Sequence, residues 1–327
     1  MKLNVDAHLF CLGTYAERYV PGGYFREYEL KEQLEILSGV DSITGINIAY
    51  PAAPLPDDPV KCAELLRDYG LRPSYVLAAN WLDPKYKHGA FSSDFQSSIF
   101  YSRKLCREAI DYAKAAGAES VLLWPAHDGF DYPFQVNYYD AWQTLVDTVR
   151  HLAEYADGFK LAIEPKPKDP RQRMLVSGTG TLLHMINEVG FPNVGGALDV
   201  GHSIAAQENM AQALTLLDRA DKLYQIHLND NYRDADPDLI VGSINFFETL
   251  EMFYYLIQTG YEGWCSIDII SARDDRAKAL DLSARMIQRY YGMARKLFEN
   301  GEIVKKNLGD YAFTENMDYI YERLFSV

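Results

Sequence analysis

Short apolar runs recur along the chain at residues 2–10 (KLNVDAHLF), 42–50 (SITGINIAY), 72–79 (RPSYVLAA) and 119–124 (ESVLLW). Four more follow at 160–164 (KLAIE), 194–200 (VGGALDV), 223–228 (LYQIHL) and 264–270 (WCSIDII). Each has the length and the β-branched or aromatic content of a strand. Between them lie longer stretches with apolar residues three and four apart, such as DPVKCAELLRDYG, SRKLCREAIDYAKAAGA, YDAWQTLVDTVRHLAEYA and SARMIQRYYGMARKLFEN. These predict amphipathic helices, with Gly70 and Gly117 placed where helix C-terminal glycines belong. Strand and helix alternating throughout imply parallel pairing. Eight such units predict an α/β fold, a closed (β/α)8 TIM barrel rather than an open doubly wound sheet.

The length of 327 residues fits one such barrel. Residues 1–299 are expected to form it. Residues 300–327, rich in tyrosine and leucine, then make a C-terminal extension packing on the barrel or on a neighbouring subunit. No low-complexity segment or Pro/Gly/Ser linker interrupts the alternation.

Composition narrows the partners. With 48% hydrophobic and 24% charged residues the chain can bury a large core, and its net charge of -14 repels a phosphate backbone, so no nucleic acid partner is expected. No run approaches the ~18 apolar residues of a membrane span, so no membrane partner is expected either. The start, MKLNVDAHLF, lacks the apolar core and cleavage site of a signal peptide. Cys11, Cys62, Cys106 and Cys265 are widely spaced without a CxxC pair. Together these features fit a cytoplasmic protein with reduced, buried cysteines.

In a (β/α)8 barrel the chemistry gathers at the C-terminal ends of the strands. The fifth strand ends in EPKP, with Glu164 and Lys166 two apart and so on one face, held extended by the prolines. The sixth delivers Asp199 and then His202, the seventh His227, and the eighth Asp268. The loop after the seventh carries Asp236 and Asp238, able to face the same way, with Asp230 and Asp234 as competitors. Singly, each has an ordinary reading: a solvated ion pair, a core histidine, a turn cap. Four consecutive strands delivering acid or imidazole to one end do not. Carboxylates ~4 Å apart repel by about 4 kcal/mol at an effective dielectric near 20, and a cation relieves that cost. Glu164, Asp199, His227 and Asp268 form an oxygen-rich set without thiolate, suited to Mn²⁺, Mg²⁺ or Co²⁺. Asp236, Asp238 and His202, with Asp199 shared, form a second candidate set, which makes two divalent ions per chain.

These residues resemble the xylose isomerase family over about residues 72 to 270. AIEPKPKDPR is similar to its fifth-strand motif, ALDVGH to its acid-x-x-His, and IHLND with DPDLIVG to its seventh-strand ligand and Asp-x-Asp-Leu. Asp at the sixth strand and His at the seventh look more like L-rhamnose isomerase. The resemblance implies that Glu164 binds the first metal and that Lys166 contacts the substrate's reacting oxygens. It also implies, from WLDPKYKHGAFSS and LLWPAHDG, that Tyr86 and Trp124 wall a sugar pocket. One departure stands out: the family's second strand carries a histidine thought to open the sugar ring, and here Tyr50 falls in its place. Ring opening is then expected to use another group, such as His127 or His8, or the substrate to be largely open-chain.

The activity so implied is aldose–ketose isomerisation of a small unphosphorylated sugar, by a metal-assisted 1,2-hydride shift. Lys166, His202 and Asp236 are its catalytic residues, and the enzyme is a homo-oligomer, dimer or tetramer. Rival readings are a single-metal ketose epimerase or other carbohydrate-processing enzyme, a non-catalytic sugar-binding barrel, and a metal-dependent nuclease.

Overall fold

The computed structural model describes residues 3–169, 171–299 and 301–325. The expectations touching Lys2, Pro170, Asn300, Ser326 and Val327 lie outside them. Eight parallel strands close a barrel: β1 (Asn4–His8), β2 (Ile43–Tyr50), β3 (Arg72–Ala78), β4 (Ser120–Leu123), β5 (Lys160–Ile163), β6 (Val194–Asp199), β7 (Leu223–Leu228) and β8 (Trp264–Ile267). Each strand pairs with its sequence neighbours, and β8 returns to β1. All eight coincide with the apolar runs.

Period-two alternation divides every strand between two environments. Val5, Ile46, Ile48, Val76, Val121, Leu161, Ile226 and Cys265 are fully buried in one large core between the barrel and its helices. Tyr75, Leu122, Ala162 and Ala197 form a separate small cluster inside the barrel. The remaining inner positions include Asp6, Asn47, Ser120, Gln225, His227 and Ser266, all buried. A barrel of this type usually fills with branched aliphatic residues. Here many of the inner positions are polar.

The floor is plugged. A Cβ on Gly45 would lie 2.5 Å from the Trp264 ring and one on Gly195 2.6 Å from the Tyr224 ring, so only glycine admits these two aromatics at the base.

The helices follow their apolar periods. The one spanning Pro59–Asp68 starts where the Asp58 carboxylate accepts from the Val60 and Lys61 amides. Another begins at Gln96 rather than at Ser102, because Ile99 extends the buried stripe by a turn, and it ends at Gly117 with φ +77°. Beyond the barrel, helices Gly301–Gly309 and Phe313–Phe325 follow, with Phe325 against Phe246 and Tyr321 against Phe247 of barrel helix Phe246–Thr259. No helix among the described residues is long and apolar enough to cross a membrane. All four cysteines are free and buried.

A small antiparallel sheet at the mouth was not anticipated. Gly129–Phe130, Lys168–Asp169 and Gln172–Met174 join the loop after β4 to the loop after β5.

Candidate metal centre

The mouth holds a cavity of about 480 Å³ with Glu164, Lys166, His202, His227, Asp236, Asp238 and Asp268 in its wall. Strand register places them. His227 is paired with Asp199 on one side and with Ser266 on the other, which brings Glu164, Asp199, His227 and Asp268 to one level. Their ligand atoms all lie within 4.8 Å of one another, and so do those of Asp199, His202 and Asp236. Asp199 belongs to both sets. Asp238 borders the cavity but joins neither set among the described residues.

Both imidazoles are oriented in the manner of metal ligands. The Nδ1–H of His202 donates to the Pro165 carbonyl at 3.0 Å, which leaves Nε2 facing Asp236 at 3.1 Å. Gln225 donates through its amide to Ser120 at 2.8 Å, so its Oε1 accepts from His227 Nε2–H at 3.3 Å. That frees His227 Nδ1 toward Glu164 at 3.3 Å, Asp199 at 3.9 Å and Asp268 at 4.0 Å. A ligand histidine whose second ring nitrogen is tied to a carbonyl is typical of metal sites. Tyr75 stacks on His227 with centroids 5.5 Å apart and fixes the ring plane.

Charge in the mouth is unbalanced without a cation. Burial, reinforced by Asp199, raises Asp268 to about 7, while burial with Asp236, Asp268 and Asp199 raises Asp238 well above the carboxylate range. Burial also raises Asp199, helped by Asp236 and Glu164. The imidazoles move the opposite way. Burial opposes their charge, yet Glu164 lifts His227 to about 9, and Asp199 with Asp236 lifts His202 to about 10. In the bare protein, protons retained on these carboxyls and imidazoles offset the clustered negative charge. Asp236 Oδ1 and Asn229 Oδ1 are buried without a hydrogen-bond partner, and a Cβ on Gly201 would come within 2.2 Å of Asn229 Oδ1. The donor set, the ring orientations and these unused lone pairs fit divalent cations with oxygen-rich coordination.

Lys166 lies beside this set. Its ammonium is 2.9 Å from Asp236 and 3.1 Å from Asp169, with the Trp124 ring centroid 5.2 Å away. Burial disfavours its charge, but Asp236 and Asp169 outweigh burial and keep it protonated. The same contacts hold Asp236 ionised: burial opposes, while His202 and Lys166 prevail.

Three expected sugar contacts lie elsewhere. Tyr50 packs on Tyr112 at 5.5 Å, outside the barrel, because Asn47 and Ala49 take the inward positions of β2. Tyr86 is 2% exposed and belongs to the core. His127 is tied through Nε2 to the Trp81 carbonyl at 3.1 Å and lines the adjoining cavity instead. Trp124 does wall the mouth, and His8 also lines it. Asp230 is taken up by the amides of Ile244, Asn245 and Asn231, and Asp234 is exposed, so neither competes as a ligand.

Several residues were missed. Asn229 donates to both oxygens of Asp199 at 3.3 and 3.2 Å; standing two after His227, it was available from strand parity. Trp81, Phe10 and Asn47 line the mouth without any sequence signal. Asp128 accepts from the amides of Ala90, Phe91 and Ser92, clamping the loop after β3 to the loop after β4.

Comparison with known proteins agrees with the barrel fold. Xylose isomerase of Thermus thermophilus is 28% identical over 255 residues, which are 75% of this chain and 66% of that relative. The chain thus spans slightly less than two thirds of the curated relative's length. A structure of L-ribulose 3-epimerase superposes with a TM-score of 0.71 at 18% identity, covering 91% of this chain and 97% of that one. A D-tagatose 3-epimerase-like protein gives 0.69 at 19%, covering 90% and 98%. The model of the xylose isomerase-like TIM barrel family matches residues 38–290, and the chain belongs to that family.

Proposed function

We propose that the protein is a metal-dependent aldose–ketose isomerase acting on an unphosphorylated sugar through a 1,2-hydride shift. The observation that carries this reading is a doubled site. Two ligand sets share Asp199, and a protonated Lys166 is held against the second of them by Asp236. Glu164, Asp199, His227 and Asp268 would hold one cation, and Asp199, His202 and Asp236 the other. Bound there, divalent cations would supply Lewis acidity to neighbouring sugar oxygens and offset the charge developing on them.

The chain's own residues do the rest. Lys166 donates a hydrogen bond to the carbonyl oxygen, and its charge is secured by two carboxylates. Asp236, ionised and with one oxygen unpartnered, is placed to accept a hydrogen bond from the substrate hydroxyl and orient it. Hydrogen then passes with its electron pair from C2 to C1, and the proton released from the C2 oxygen balances the one gained at the C1 oxygen. Trp124, Leu122, Leu77 and Ile267 exclude water from the reacting carbons.

A ketose epimerase is the second reading. It is favoured by Glu164 and Asp268 entering one cluster from different strands, with Asp268 raised to about 7, near the working pH of a general base. Two solved structures of similar fold also carry epimerase names. Substrate and label separate the two: an isomerase converts C2-deuterated aldoses to ketoses, whereas a ketose epimerase leaves aldoses unchanged and exchanges the hydrogen at the inverted carbon of a ketose. Aldopentoses and aldohexoses carrying deuterium at C2 are to be incubated with enzyme reloaded with Mn²⁺. Deuterium retained at C1 of the ketose is expected; complete exchange with solvent means proton transfer and overturns the hydride reading.

A further inference from the structure

A second cavity of about 590 Å³ adjoins the mouth, and the two share Trp81 and Trp124. The mouth cavity alone, about 480 Å³, already falls within the range of roughly 300–1,000 Å³ that takes a small ligand. The neighbouring space is therefore surplus to one sugar ring.

Its walls have a definite character. Trp81 and Trp124 meet edge to face at 5.0 Å and form the partition, while Phe95 and Phe130 add aromatic surface. Aromatic faces suit the C–H surfaces of sugars. The Gln172 side chain lies in the same wall and brings a polar amide to it. Charge argues against an anionic occupant, since the wall carries Asp94, Asp131 and Asp169 against Lys87 and Arg171. The cavity is also joined to the reacting centre: Asp169, in its wall, is the carboxylate 3.1 Å from Lys166.

We infer that this cavity is a subsite for a second, neutral glycosyl unit, so that the preferred substrate is a glycosylated sugar rather than a free monosaccharide. The inference rests on the reading of the mouth as a sugar site. The reacting ring occupies the metal-lined cavity, and its substituent crosses the Trp81–Trp124 partition to meet Gln172 and Phe95. Phe95 is more than half exposed, so its truncation leaves the core untouched.

The test is a titration of the Mn²⁺-loaded full chain with fructose and with the disaccharide ketoses lactulose and maltulose. Calorimetry and tryptophan fluorescence give the affinities. At least one disaccharide is expected to bind about ten-fold more tightly than fructose, with Gln172→Ala and Phe95→Ala each removing about two- to ten-fold of that gain and leaving fructose affinity unchanged. Fructose binding as well as or better than both disaccharides overturns the subsite and leaves the proposed isomerase standing. Variants that weaken fructose and disaccharide alike overturn it too. Failure of every sugar to bind overturns the subsite and the sugar-site reading together.

Discussion

The two ends of this barrel are built from the same eight strands and solve opposite problems. At the floor, Gly45 and Gly195 admit Trp264 and Tyr224, and Arg72 lies over the Trp264 ring at 4.5 Å, so space is filled and charge sits on an aromatic face. At the mouth, the strands end in acids and imidazoles whose protonation is distorted by their neighbours, and two buried carbonyl-type oxygens go unused. The floor is closed by packing, although the buried Trp264 Nε1 has no hydrogen-bond partner among the described residues. The mouth is complete only with something added. Changes at the floor should therefore cost stability and spare metal affinity, and changes at the mouth should do the reverse.

The largest expected effect is catalytic. Lys166→Met should lower turnover by roughly 10²- to 10⁴-fold while Mn²⁺ affinity, read by calorimetry, changes little, because the ammonium contacts Asp236 and Asp169 without being a ligand. A loss of metal binding in step with turnover would break the division between ligand and positioning charge. Next comes the floor: Trp264→Ala should lower unfolding free energy by about 3–5 kcal/mol in denaturant titration, with Mn²⁺ affinity preserved. Asn229→Ala is smaller. It removes the amide that donates to both Asp199 oxygens and should weaken Mn²⁺ by about 10–100-fold with little change in melting temperature.

The pH response sharpens the comparison further. His227 and His202 are raised from 6.5 to about 9 and about 10, so in the metal-free protein their pairing with Glu164, Asp199 and Asp236 stabilises the fold. That contribution is fully present below about 6.5, the unfolded value, and is lost as pH rises through 9 to 10. A cation must displace these protons, so its affinity should climb over the same window, by up to about ten-fold per pH unit for each proton released. Melting temperatures of chelated and Mn²⁺-loaded protein between pH 6.5 and 9.5 would check this; a constant difference across that range contradicts it.

What the sequence made legible follows from what has a period. Strand runs and helical stripes repeat, so the barrel was readable, and once strand ends are known to gather the chemistry, Glu164, Asp199, His227 and Asp268 were readable as one set. Parity was underused. Asn47 and Ala49 face inward, so Tyr50 must face outward, a conclusion open to anyone counting by twos along β2. Loop geometry has no such rule. Nothing in WLDPKYKHG distinguishes Trp81, which reaches the mouth, from Tyr86, which is buried behind it. His127 turned toward the second cavity because the Trp81 carbonyl holds its ring, a contact between two loops far apart in sequence. The sheet joining 129–130 to 168–174 is likewise a tertiary pairing of segments too short to announce themselves.

The most direct measurement is a calorimetric Mn²⁺ titration of the chelated protein beside Glu164→Gln and Asp236→Asn. The account predicts binding that approaches two ions per chain, the tighter one abolished by Glu164→Gln and the weaker one alone abolished by Asp236→Asn. Undiminished binding in both variants, or none in the parent protein, would contradict it.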